Sequence, residues 1–175
     1  DTLCHPDHIN PMPPLSVDEP TVSMVFQVND SPFCGKEGKY VTSRNIKDRL
    51  EQELMHNVAL RVEDGESADK FKVSGRGELH LSVLIETMRR ENYELAVSKP
   101  QVIQREVEGE IHEPFEIVVI DIEEQHQGAI MEEMGNRKAD LQSITVTENG
   151  RMKLDFMAPS RGMIGFRSSF LTLTS

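Results

Sequence analysis

The chain has no tryptophan, two tyrosines and seven phenylalanines in 175 residues. That is too few aromatics for a sheet that reads single-stranded RNA by stacking several bases. Its only cysteines are Cys4 and Cys34, which with no secretory leader point to reduced thiols in a cytoplasmic protein rather than a disulfide framework. No apolar run approaches the ~20 residues that span a bilayer, so no membrane partner is expected. An initiator methionine is also missing, and residues 171–175 stop inside an apolar stretch. Both ends therefore read as cut, and the chain is expected to be a piece of a longer protein.

Catalytic constellations are missing as well. The nearest approach to a P-loop is F-C-G-K-E-G-K-Y at 33–40. There Phe33 stands where the first glycine belongs, and Tyr40 stands where a Ser or Thr would hold magnesium. N-R-K-A-D at 136–140 has one residue too many for the guanine-reading N-K-x-D, and no G-x-S-x-G elbow occurs. Neither a catalytic residue nor a nucleotide site is expected. Cys4, His5 and His8 form a local group of metal-ligand types, but no second ligand pair follows at zinc spacing, so no metal is expected.

What is present suits a globular protein, 37% hydrophobic and 28% charged. The net charge of −11 argues against simple nucleic-acid binding and against DNA as a partner. Its distribution is uneven. Residues 104–135 hold ten acids against Arg105 alone, whereas residues 136–175 hold Arg137, Lys138, Arg151, Lys153, Arg161 and Arg167 against three acids. One face is thus expected to repel RNA while another accepts it.

Residues 73–91 carry the clearest structural signal. Leu81, Leu84, Ile85 and Met88 recur at the spacing of one helix face, with Glu78 in the first turn and Arg89 and Arg90 in the last, complementing the helix dipole. Alternation of Val22, Met24, Phe26 and Val28 predicts a half-buried strand over 21–29 with Phe26 in the core. A helix over 43–56, short strands over 58–63 and 70–74, the 78–90 helix and a strand over 93–98 complete a β-α-β-β-α-β order. That order is the ferredoxin-like split βαβ unit. From Pro114 the pattern restarts: a strand over 115–122, a helix near 128–137, strands over 141–147 and 152–157, and a segment from Arg161. No fourth strand follows, which leaves the second helix short of a partner for its apolar side.

The fold class is therefore α+β, two consecutive ferredoxin-like units with antiparallel sheets, the second truncated. Residues 1–20 read as the end of a preceding domain plus a Pro-rich linker, 21–99 as the first unit, 100–113 as a connector and 114–175 as the partial second unit. An acylphosphatase built on this fold would need an arginine in the loop after its first strand, and residues 30–39 contain none.

G-R-G-E-L-H-L at 75–81 resembles a segment in the third domain of ribosome-bound translational GTPases. S-P-F-C-G-K-E-G-K-Y-V-T-S-R at 31–44, E-E-Q-H-Q-G-A-I-M-E-E-M-G-N-R-K-A-D-L at 123–141 and A-P-S-R-G-M-I-G-F-R-S-S-F-L-T-L-T-S at 158–175 extend the resemblance over nearly the whole chain, to the BipA/TypA branch. The short connector matches that branch and the LepA branch, both of which lack the long insertion of elongation factor G. D-T-L-C at 1–4 then resembles the last strand of the family's β-barrel domain.

The resemblance implies a parent that binds GTP and Mg2+ outside this chain and hydrolyses GTP on the ribosome, acting in ribosome biogenesis and stress adaptation. The chain itself would supply the equivalents of domain III and most of domain V. Its expected partners are ribosomal RNA and ribosomal proteins, with tRNA as a further candidate. Arg44, Lys47, Arg76, Arg137, Lys138, Arg161 and Arg167 are the candidate contacts, the arginines favoured for bidentate phosphate binding. A LepA-like factor and a free-standing ferredoxin-like module for RNA or a metabolite are the alternatives.

Overall fold

The computed structural model describes residues 5–9, 13, 17–147 and 150–175. The barrel-strand expectation at 1–4, with Cys4 of the metal-ligand group, much of the linker and two residues of the 148–150 turn lie outside them. No helix among the described residues is long and apolar enough to cross a membrane.

In the first unit, β1 (Val22–Gln27), β2 (Arg61–Asp64) and β3 (Lys70–Gly75) form an antiparallel sheet in the order β2-β3-β1. Phe26 lies opposite Phe71 and Met24 opposite Val73, so the predicted alternation delivers one apolar face. α1 (Ser43–Leu54) and α2 (Glu78–Arg90) cover that face through Ile46, Leu50, Leu81, Leu84 and Met88. Thr42 caps α1 by accepting the Asn45 N–H. The opposite face carries Ser23, Val25, Gln27, Arg61, Glu63, Lys70, Lys72 and Ser74 and no aromatic ring, which removes the basis for a stacking RNA sheet there.

The fourth strand, predicted over 93–98, is broken in two: β4 (Ala96–Val97) pairs beside Phe26, and β5 (Gln101–Val102) beside Val22. Pro100 has no N–H to give the ladder. Ser98 bridges the gap, its N–H donating to Val25 O and its hydroxyl accepting the Val25 N–H, both at 2.9 Å. Residues 100–113 thus contribute to the sheet before forming a hairpin of β6 (Arg105–Val107) and β7 (Glu110–His112). Glu108 (φ 53°) and Gly109 (φ 84°) form its tight turn.

In the second unit β8 (Phe115–Glu123), β9 (Asp140–Val146) and β10 (Arg151–Pro159) order as β8-β10-β9. A 3-10 turn at Glu124–His126 leads into α3 (Gln127–Asn136), which places Ile130 and Met134 over Ile120, Ile122, Leu154 and Phe156. The expected last helix is two pieces, α4 (Ser160–Met163) and α5 (Phe166–Leu173), separated at Gly165, whose φ of +75° favours glycine. Phe166, Phe170 and Leu173 pack on the second core.

Candidate nucleic-acid interface

The close approach of α2 to β3 fixes the G-R-G turn. A side chain at Gly75 would come within 2.8 Å of His80 Nδ1 and 2.9 Å of Leu81 Cδ2, so it would push on His80 and on the buried Leu81. The Arg76 N–H donates to His80 Nδ1 at 3.3 Å, and Arg76 O accepts the Thr21 hydroxyl at 2.8 Å. Nε2 of His80 lies 2.9 Å from Asn57 Nδ2 and 3.2 Å from Asn57 Oδ1; because Nδ1 accepts, the proton is assigned to Nε2 and Oδ1 is its acceptor. Asn57 in turn donates to Glu53, and Glu53 accepts from Arg49. Burial, and then the charge of Arg76, hold the His80 imidazole below its ordinary range. The histidine is therefore a neutral spacer that fixes the backbone of Arg76 and leaves its side chain exposed.

Glu78, read from the sequence as a helix-dipole residue, has a second task that spacing does not reveal. Its carboxylate accepts the Gly165 N–H at 2.7 Å, joining the start of α2 to the start of α5 and so one unit to the other. Arg76 and Arg167 each lie two residues from an end of this bond.

Arg137 departs from the expectation of a free phosphate contact. Its guanidinium bonds Glu133 Oε1 (2.7 Å), Gly162 O (2.6 Å), Ile164 O (3.0 Å) and Ser169 Oγ (3.1 Å), and lies 5.4 Å from the Phe166 ring centroid. Its side chain is only 18% exposed. Its donors are spent holding the α4–α5 turn, and Gly162 passes so close that an added Cβ would lie 2.5 Å from Arg137 O. Lys138, the next residue, is exposed, sits at φ 61° and has no salt bridge among the described residues.

The other candidates divide the same way. Lys47 pairs with Asp64 at 3.1 Å and Arg161 with Glu113 at 2.6 Å, while Arg44 reaches Asp48 only at 3.8 Å. Arg44 and Lys47 lie on α1. The 160–165 turn instead gathers Arg161, Arg167, Lys138 beside Arg137, and, through Glu78, Arg76. Arg76, Lys138 and Arg167 are exposed and carry no salt bridge among the described residues.

The P-loop-like 33–40 segment does not suit GTP. The amides of Gly35, Glu37 and Gly38, which a phosphate would need, all donate to the Glu94 carboxylate at 3.1 Å. No group of three or more metal-ligating side chains occurs among the described residues.

Known proteins match the chain over its whole length. Residues 110–175 match the family model described as elongation factor G C-terminus. The whole chain aligns with proteins named large ribosomal subunit assembly factor BipA, at 64% identity in Salmonella typhimurium, 59% in Haemophilus influenzae and 57% in Buchnera aphidicola. It spans 29%, 28% and 29% of their lengths respectively.

Proposed function

We propose that the chain is a segment of a BipA/TypA-type protein, which it matches over its whole length, and that it is the ribosome-docking segment of a translational GTPase that acts in large-subunit assembly. The observation that carries the reading is the alignment of the entire chain, without remainder, at 57–64% identity. GTP and Mg2+ then bind elsewhere in the parent, since the 33–40 loop lacks the magnesium hydroxyl and has its amides filled by Glu94. The parent works in the cytoplasm, where ribosomes are. Within this chain the work is positioning: two units, joined through Glu78 and Gly165, present Arg76, Lys138 and Arg167 to ribosomal RNA despite the overall charge of −11.

Co-sedimentation of the chain with purified large subunits across a salt series tests this. Charge reversal at Arg76, Lys138 and Arg167 together should weaken association and lower the slope of log affinity against log salt by roughly one for each phosphate no longer neutralised. Wild-type association that is absent at low salt, or a triple variant indistinguishable from wild type at every salt, would overturn the reading.

A further inference from the structure

The loop from Ser31 to Tyr40 is held more firmly than an exposed loop requires. Glu94 accepts three of its backbone amides and the Asn29 side-chain N–H at 2.7 Å. The N–H groups of Lys39 and Tyr40 both donate to Asn92 O, at 2.8 and 3.1 Å, and the Glu94 N–H returns to Tyr40 O at 3.1 Å. Two glycines serve this arrangement. Gly35 takes φ +82°, and a side chain at Gly38 would lie 2.7 Å from Glu94 Cβ. The Asn29 bond first, and the amides after it, hold the Glu94 carboxyl below the usual range. The bonded form is therefore the charged one.

At its tip this frame displays the Phe33 ring and two cations, while the Tyr40 ring at its base is 44% exposed and tilts against Tyr93 at 4.9 Å between centroids. Phe33 is 66% exposed, with Lys36 Nζ over its ring at 4.7 Å from the centroid. Lys36 and Lys39 carry no salt bridge among the described residues. The one acid at the tip, Glu37, lies close enough to Arg89 to add to the larger effect of Glu86 in keeping that guanidinium charged. Phe33 is flanked by Pro32, Cys34 and Gly35 and by no other large apolar side chain. A lone ring is too small for the hydrophobic centre of a protein interface. It is the right size for one base, and a ring with a cation on one face still offers the other.

We propose that this loop is a contact for unpaired RNA, in which a single base stacks on Phe33 while Lys36 and Lys39 take the flanking phosphates, and in which Glu94 is the positioning residue that keeps the loop in shape. The inference rests on the ribosome-docking reading and deepens it, naming single-stranded RNA rather than a duplex or a ribosomal protein as what this element meets.

The probe is a single-stranded oligoadenylate of about ten nucleotides, within the span that stacking platforms cover, carrying one fluorescent 2-aminopurine. Binding to the wild-type chain should quench the 2-aminopurine, and the same strand paired with oligouridylate should show no further quench. Phe33→Leu keeps the apolar bulk and loses the π face. It should weaken binding by about 5- to 150-fold, the equivalent of one stacked base, and abolish the quench, whereas Phe33→Tyr keeps both. Lys36→Ala with Lys39→Ala should flatten the salt slope by about 1.4, or 0.7 for each single-strand phosphate contact. Glu94→Gln should speed hydrogen exchange at Gly35, Glu37 and Gly38 and weaken the quench together. Each variant is compared at an unchanged melting profile.

An unquenched wild-type complex, a Phe33→Leu chain that binds and quenches as wild type does, or a Phe33 substitution that alters only cross-linking to a ribosomal protein would each overturn the proposal. Subunit co-sedimentation run alongside separates the two readings. If the chain still pellets with large subunits while Phe33→Leu changes nothing, only the loop assignment falls. If the wild-type chain does not pellet, the docking reading falls.

Discussion

In the first unit β1 is flanked on both edges, by β3 on one side and by the broken pair β4 and β5 on the other. Its counterpart β8 pairs along all nine residues with β10 and, among the described residues, with nothing on its other edge. That edge opens on a cleft of about 590 Å³ between the units, lined by Leu79, Val118, Ile120, Ile164, Phe166 and Phe170. Ser160 lines it too, and its buried hydroxyl has no hydrogen-bond partner among the described residues. On the outer face Phe115, Ile117 and Val119 are exposed. Among the described residues the same β-α-β-β-α order thus gives a first strand paired on both edges in one unit and on one edge in the other. Arg137 and Glu78 supply the polar bonds that hold the second unit's last helices in place.

The largest effect expected from this contrast lies in the first unit's core. Leu84 is 4% exposed and packs with Leu81 and Met88 against β1 and β3. Leu84→Ala should therefore cost the first unit about 2 to 5 kcal/mol through lost burial and a residual cavity. Residue-resolved denaturation should show the first unit's midpoint falling while the second unit's stays in place. Loss of both in parallel would mean that the Glu78 junction couples them into one cooperative body, and the contrast drawn between two separate cores would fail.

A smaller effect separates neighbours in the second unit. Arg137→Ala removes a partly buried guanidinium and leaves the Gly162 and Ile164 carbonyls without their donor, so it should destabilise that unit by roughly 1.5 to 3 kcal/mol. Lys138→Ala should change stability by no more than about 0.5 kcal/mol. Thermal melts of the two variants decide whether these adjacent cations are one surface patch, as their sequence suggests, or a structural brace beside a free charge.

The reach of the sequence follows the same division. Val22, Met24, Phe26 and the 81-84-88 face were legible because period and burial act locally, and they decided which side of the first sheet its helices cover. The break at Ser98 was not, because it depends on a hydroxyl meeting Val25 across 73 positions. Arg137 and Lys138 look alike in a string of charges. Only the approach of Gly162, 25 residues on, tells them apart. Glu94 gave no local signal at all, since its partners are backbone amides 56 to 59 residues earlier. Spacing identifies faces of single elements, but cradles built from distant backbone need the fold.

The smallest effect is a pH dependence confined to the first unit. His80 is held below the ordinary imidazole value of 6.5, by burial first and the Arg76 charge second, with Glu53 opposing both. Its folded-state pKa is therefore lower than its unfolded one, and the unfolded chain takes up the proton first as pH falls. The stability that neutral His80 contributes is complete above about pH 6.5 and is lost as pH drops below it toward the depressed folded value. The cause is concrete: protonation puts a hydrogen on Nδ1, which now accepts the Arg76 N–H, and adds a cation beside Arg76. The first unit's carboxylates with lowered values, Asp69 from an ordinary 3.8 and Glu53, Glu86 and Glu94 from 4.5, show their losses at more acid pH. Denaturant midpoints of the first unit measured from pH 7.5 to pH 5 should decline in the wild type. In His80→Asn, which removes the titrating group at the cost of a constant offset, the same interval should be flat. A wild-type midpoint that stays level, or a variant that declines in parallel, would show that the G-R-G turn does not depend on the protonation of His80.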